Sequence, residues 1–252
     1  MREKIKELYY REDLRFPIIG AVLEGNAEGT VFCNDETNPT HIFVISKFGF
    51  CQEIYTQHDS LFFEKIKQVI ETRERVKLRM YNPGREMRAF LETKAYAKEA
   101  KRKRYLPGDS KVSGTETGTA YVIRKMRAED VEKEDFGLCL SSRYYRDTGD
   151  FIRHAMSLVA CDKTGSEYIG MIYSAGNDKT MSEIDIFIKE KYRRKGMAFY
   201  LTAAFTKQCR NHSMTPVWDC YSNLESSYRL AEKSGFVLKQ EYVFYNIEAE
   251  SK

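Results

Sequence analysis

What this sequence lacks narrows its reading first. It has no long uncharged apolar run, so no segment reads as a membrane span. No pair of its six cysteines, at positions 33, 51, 139, 161, 209 and 220, has Cys-x-x-Cys spacing, and most stand in apolar stretches such as Leu158-Val159-Ala160-Cys161. Buried free thiols in a reducing compartment are therefore expected, not a disulfide framework. The four histidines, His41, His58, His154 and His212, show no metal-ligand spacing, and no metal is expected. Nor is there a large charge of one sign. The 41 basic and 37 acidic residues leave a net charge of +4, too balanced to suggest nucleic acid yet compatible with an anionic small ligand. The chain opens Met1-Arg2-Glu3-Lys4-Ile5-Lys6-Glu7, charged where a signal peptide is apolar, which predicts a cytoplasmic protein.

The 252 residues, 42% of them hydrophobic, allow one large domain or two of about 100–150 residues, each able to bury a core. The best boundary is the stretch 106–118, built of turn formers with almost no apolar content. Taken as a linker, it separates an N-terminal α+β domain (1–105) from a C-terminal domain (119–252). The basic run Lys101-Arg102-Lys103-Arg104 just before it reads as a solvated strand or helix end, with a phosphate-binding patch as the alternative. The first half is predicted to hold a helix over 3–11 and strands over 17–23, 29–33, 41–46 and 50–55. A helix follows from His58-Asp59-Ser60, with Leu61, Phe62, Ile66, Val69 and Ile70 as its apolar stripe. A strand over 76–81, a turn at Asn82-Pro83-Gly84, a short helix and a strand near 94–97 complete it. No catalytic constellation stands out there.

The second half reads as a strand over 120–126 and a helical region from Ala128 to about His154. A hairpin of strands 157–162 and 167–173 turns about Lys163-Thr164-Gly165-Ser166. Strand 182–188 follows, with Ile184, Ile186 and Ile188 on one face, then a helix from about Gly196 to Asn211, a strand over 216–221, a helix over 226–234 and a last strand over 237–245. The informative stretch joins the 182–188 strand to the long helix through Arg193-Arg194-Lys195-Gly196-Met197-Ala198. Such a turn aims several backbone N–H groups at one spot, and the helix dipole adds partial positive charge there. Gly196 has no Cβ to keep an anion from the backbone, and Arg193, Arg194 and Lys195 add whole charges. Together they make a pyrophosphate site; the plainer alternative is a charged helix start with a chance glycine.

The segment 193–198 resembles the Arg/Gln-x-x-Gly-x-Gly/Ala signature of the GNAT acetyltransferase superfamily, with its preceding apolar strand and its long following helix. Downstream, Asn223-Leu224-Glu225-Ser226-Ser227-Tyr228-Arg229-Leu230-Ala231-Glu232-Lys233-Ser234-Gly235-Phe236 resembles the next segment of that superfamily. There Asn223 can cap a helix, and Gly235 suits its C′ position. The whole chain is similar to two-domain bacterial GNAT proteins, Leu23-Glu24-Gly25, Asn34-Asp35 and Asn38-Pro39 carrying the N-terminal part. The resemblance implies an α/β fold (an α+β mixed sheet), a GNAT-like C-terminal domain and a smaller α+β N-terminal domain. The 182–188 strand should run parallel to 216–221 and diverge from it at the C-terminal ends.

The resemblance also implies acetyl-CoA as co-substrate and an amine as acceptor, while the hydropathy and the balanced charge predict no membrane and no nucleic-acid partner. Phe187 and Ile188 would lend backbone groups to the pantetheine arm, the N–H of Ile188 stabilising the oxyanion. Arg193, Arg194, Lys195, Gly196, Met197 and Ala198 would hold the pyrophosphate, and Asn223 would approach the pantetheine from the other side. An alkylamine is mostly protonated at neutral pH, so a base is useful. Glu183 is the first candidate and Asp185 the second, the alternative for both being an exposed strand carboxylate. The family often protonates the departing thiolate with a tyrosine four residues before the Gly of Gly-Phe, where this chain has Ala231. Tyr228, one turn earlier, is the substitute candidate, unless it is simply packed on the sheet. Three readings follow: a transferase for small amines, a non-catalytic acyl-CoA-binding sensor or scaffold, and a protein or peptide acetyltransferase.

Overall fold

The computed structural model describes residues 2–72, 77–109, 121–134 and 143–248, which form two compact units. One comprises the chain up to Arg102 together with the residues from Tyr242 onward; the other is Lys103–Glu241. The first crossing lies close to the expected domain end at 105. The second returns the last strand to the first unit, which no shift in composition announces. Of the stretch 106–118 expected as linker, Leu106 and Pro107 end a strand, and residues 110–118 lie outside the described ones.

The first unit runs α1 (Arg2–Arg11), α2 (Pro17–Glu24), β1 (Gly29–Cys33), β2 (His41–Ser46), β3 (Phe50–Tyr55), α3 (Ser60–Glu71), β4 (Leu78–Tyr81), α4 (Arg85–Glu92) and the start of β5 (Ala97–Pro107). Its sheet has the order β1-β2-β3-β4-β11, the last being the end of β11 (Phe236–Ile247), which pairs Phe244 with Tyr81 and Ile247 with Leu78. The strand expected over 17–23 is a helix. Every residue from Pro17 to Leu23 is buried, so the polar positions that would distinguish a period of 3.6 from one of 2 are missing. The ends decide it: Pro17 sits where a missing N–H is harmless, and Gly25, at φ +79°, donates to the carbonyls of Ala21 and Val22. In α3 the Asp59 carboxylate caps the Phe62 N–H at 2.9 Å. Its inward face is Phe62, Phe63, Ile66 and Ile70, while Leu61, expected in the stripe, is 80% exposed.

The second unit continues through β6 (Tyr121–Lys125), α5 (Ala128–Lys133), α6 (Thr148–His154), β7 (Ser157–Asp162), β8 (Tyr168–Asn177), β9 (Met181–Ile188), α7 (Met197–Asn211), β10 (Thr215–Tyr221) and α8 (Glu225–Lys233). Its strands follow the order β5-β10-β9-β8-β7-β6, antiparallel along β6-β7-β8-β9 and parallel between β9 and β10. This is the expected α/β class with a mixed sheet. The helical region expected from 128 to 154 is not continuous: α5 stops at Lys133, where Glu134 turns extended, and α6 starts afresh at an Asp147 cap. The Ile184, Ile186 and Ile188 row of β9 packs against Leu201 and Phe205 of α7, Trp218 of β10 and Ala231 of α8. The basic run belongs to β5, with Arg102 and Arg104 buried and Lys101 and Lys103 turned outward. Arg104 meets the buried carboxylate of Asp219 at 3.4 Å. Among the described residues the five cysteines are free thiols, and no helix is long and apolar enough to cross a membrane. Cys139 lies outside the described residues.

One buried carboxylate ties this unit together. Asp130 is 1% exposed and accepts from both terminal guanidinium nitrogens of Arg124 (2.6 Å each), from the Tyr168 hydroxyl (2.9 Å) and from the Arg127 N–H (2.7 Å). Burial pushes its pKa up, but these donors outweigh burial and bring it down to about 2 from the ordinary 3.8. A depressed carboxylate stabilises the fold above its unfolded value and stops doing so as pH falls through its folded one. The contribution of about 2 kcal/mol should therefore be complete above about pH 4 and lost toward pH 2. Urea unfolding of Asp130→Asn should show that loss already at neutral pH, together with a flatter acid limb.

Candidate active site

The two parallel strands of the second unit pair only where positions 181–183 face 215–217. Beyond Glu183 and Val217 the ladder stops, while the other edge of β9 stays paired with β8 as far as Ile188, opposite Gly170. That close seam requires glycine: a Cβ on residue 170 would lie 2.6 Å from the Phe187 carbonyl oxygen. The Lys189 N–H is spent on the Ile169 carbonyl at 2.9 Å. Strand alternation then turns the N–H of Ile188 to the opposite, open edge. The open edge borders a cleft of about 630 Å³, walled by Ile186, Phe187 and Ile188 of β9, Trp218 of β10, and Leu224, Ser227 and Leu230.

At the mouth of the cleft the chain makes a tight cationic turn. The N–H groups of Tyr192 and Arg193 close a short 3₁₀ turn on the carbonyls of Lys189 and Glu190. Arg194 (φ +60°) and Gly196 (φ +81°) are both left-handed, which folds the backbone back before α7 begins at Met197. The first helical bond joins the Tyr200 N–H to the Gly196 carbonyl at 3.2 Å, so the N–H groups of residues 197–199 have no acceptor within the helix. They open at the positive end of a 15-residue helix dipole. Arg193 is exposed, yet its Nε donates to the Ile188 carbonyl at 3.1 Å, which fixes the guanidinium beside the end of β9.

Of the residues expected to hold the acyl donor, Phe187, Ile188, Arg193, Arg194, Gly196, Met197 and Ala198 line this cleft. Lys195 and Asn223 do not. Asn223 is not the helix cap either: α8 starts after Leu224, with no side-chain cap, because the turn runs one residue longer than the sequence suggested. Gly235 is left-handed just beyond the Ser234 C-cap, as expected. Glu183 is the last residue of β9 paired to β10, is 4% exposed, and lies on the strand face opposite the isoleucine row, beside a bulge in β8. Asp185 shares that face and accepts from the Tyr173 hydroxyl at 2.7 Å. Burial, and then the Asp185 charge, raise the Tyr173 pKa well above its ordinary value, so this hydroxyl remains a donor.

Tyr228 lies elsewhere. Its ring packs against the core with the Lys103 ammonium 4.3 Å from its centre, and it is not among the residues that line the cleft. The cleft face of α8 carries Ser227 and Leu230, and Tyr228 is rotated about 100° from Ser227. Ala231 is fully buried, which leaves no room for a tyrosine at that position. Sequence reasoning passed over Trp218 and Ser227. The indole N–H of Trp218 donates to Ser227 Oγ at 3.1 Å, linking the two walls of the cleft. A period-three pattern at 224, 227 and 230 was the available signal.

The first unit gathers His41, Glu53 and His58, which sequence spacing had not connected. His41 Nε2 lies 2.8 Å from Glu53 Oε1, and the Asp59 N–H donates to His41 Nδ1 at 3.2 Å. A metal at Nε2 would require a proton on Nδ1, facing that N–H donor. The arrangement is that of an internal hydrogen-bond relay.

A family model described as GNAT acetyltransferase matches residues 11–245. The uncharacterized N-acetyltransferase YdfB of Bacillus subtilis (strain 168) is 38% identical over 64 residues, a match that covers 25% of this chain and 24% of that relative. A GCN5-related N-acetyltransferase-like protein from Streptococcus suis 89/1591 superposes with a TM-score of 0.69 at 17% identity, covering 97% of each chain. A tandem GNAT protein from the clavulanic acid biosynthesis pathway superposes with a TM-score of 0.67 at 9% identity, covering 100% of this chain and 95% of that one. At these identities the two solved structures speak to the fold.

Proposed function

The chain belongs to the GNAT acetyltransferase family, and from that premise we propose that it transfers an acetyl group from acetyl-CoA to the amine of a small molecule within a ternary complex. One observation carries the reading. The parallel strands part after Glu183 and Val217, and the gap leads to a cationic turn at a helix start, the shape and charge that a pantetheine arm ending in a pyrophosphate needs. Arg193, Arg194, Gly196 and the first N–H groups of α7 hold the pyrophosphate. The Ile188 N–H faces the open edge and stabilises negative charge developing on the thioester oxygen. A chain of water carries the proton of the attacking ammonium toward Glu183, five residues before Ile188 on the same strand, while nitrogen bonds to the acyl carbon and the carbon–sulfur bond breaks.

Ser227 is better placed than Tyr228 to stabilise the departing thiolate. Its Oγ accepts from Trp218, which leaves its own O–H to donate into the cleft it lines, with water supplying the proton. Tyr228→Phe should lower turnover less than about tenfold, and Ser227→Ala by about tenfold or more. A hundredfold loss in the tyrosine variant alone would restore Tyr228 as the acid. Incubation with acetyl-CoA and a panel of small amines should release free thiol only when an accepted amine is present. Failure across the panel, with acetyl-CoA bound, would favour an acyl-CoA sensor or scaffold.

A further inference from the structure

Two hydroxyls and a guanidinium converge on one oxygen of Asp185. The hydroxyls of Tyr173 and Tyr144 lie 2.7 and 3.4 Å from Oδ2, and Arg143 Nη1 lies 3.9 Å from the same atom. Oδ1 has no partner among the described residues, although the Asp185 side chain is 29% exposed. Tyr173 and Tyr144 are buried, and the Arg143 guanidinium lies 5.3 Å from the centre of the Tyr144 ring. The carboxylate is therefore held through one oxygen, and the side chain keeps partial exposure. A carboxylate serving only to satisfy a buried tyrosine needs neither the second hydroxyl nor a guanidinium beside it.

Asp185 also lies close to the chemistry. It shares a strand face with Glu183 and Phe187, and at ~3.3 Å per residue it is about 7 Å from Phe187 and about 10 Å from Ile188 along the strand. A molecule held at Oδ1 thus reaches the end of the cleft with its far end. We propose that Asp185 is the specificity-determining residue for the acceptor, and that the acceptor carries a second cationic group, an ammonium or guanidinium, which Oδ1 binds while the other amine is acylated. The inference rests on the transferase reading. An amine with a hydroxyl at its far end makes only a neutral hydrogen bond to Oδ1, weaker than the charge-assisted one, and a carboxylate there has no proton to give it.

The test compares alkane diamines with amino alcohols of equal length, in the wild-type protein and in Asp185→Asn and Asp185→Glu. Asp185→Asn keeps an acceptor for the Tyr173 hydroxyl and so preserves the packing. The wild type should use the diamine at a KM about 10–100-fold below that of the amino alcohol. Asp185→Asn should erase most of that difference by raising the diamine KM, with kcat changed less than about threefold, and Asp185→Glu should recover part of it. Equal use of diamine and amino alcohol by the wild type, a preference for amino acids, or a loss of kcat common to all acceptors would each overturn the proposal. Calorimetric titration of the diamine into the CoA-bound protein separates it from the transferase reading. Binding that is lost in Asp185→Asn supports the cation site even if no thiol is released, and no diamine binding to the wild type rejects the site even if other amines are acetylated.

Discussion

Gly196→Asp is expected to weaken acetyl-CoA binding by about 30–1,000-fold, the equivalent of ~2–4 kcal/mol. Two effects add. The new carboxylate stands at the N-terminus of α7 where the pyrophosphate is proposed to lie, so it repels the ligand and competes for the same N–H groups. The backbone at 196 has φ +81°, a conformation that any side chain adopts at some cost. Gly196→Ala carries the second effect without the first. Its Cβ, like that of Asp, meets only the Tyr200 ring edge at 3.4 Å, so both variants should fold. Isothermal titration of the pair therefore isolates the charge. Equal affinities for the Asp variant and the wild type would remove the pyrophosphate from this turn.

Glu183→Gln should lower kcat/KM at neutral pH by about 100–10,000-fold while leaving acetyl-CoA affinity nearly unchanged. The substitution is isosteric, so a side chain that is 4% exposed keeps its packing. The pH profile tells catalysis from structure. Solvent deprotonates an alkylamine as pH approaches about 10, and the deficit of the variant should shrink as the neutral amine becomes abundant. A deficit constant across the profile would point to damaged geometry. A deficit below tenfold at neutral pH would move the base elsewhere.

Much of the second unit was legible because its signals are local. The isoleucine row at 184, 186 and 188, the glycine after three cations and the left-handed Gly235 each report their own backbone. What escaped depends on helix phase or on distant pairing. Asn223 misses the cap because α8 starts one residue later than expected, and Tyr228 shares the core-facing side of the helix with Ala231, away from the cleft that Ser227 and Leu230 line. The Asp185 clamp joins residues 143, 144, 173 and 185, and no spacing rule connects positions so far apart along the chain. Helix α2 was read as a strand because a wholly buried run carries no period, and only Pro17 and Gly25 mark it. In β5 the reverse held: four consecutive cations hid a period of two, with Arg102 and Arg104 inside.

The split membership of β11 bears on biosynthesis. Phe244, Tyr245 and Ile247 complete the sheet and core of the first unit, yet they are translated after all of the second. On the ribosome, residues 2–102 emerge with the edge of β4 unpaired and part of their apolar core uncovered, and they stay so until the last strand is made. The second unit, continuous from Lys103 to Glu241, can close first. Maturation of this chain would then run against the direction of its synthesis, the N-terminal half waiting longest for its final partner and most in need of a chaperone meanwhile.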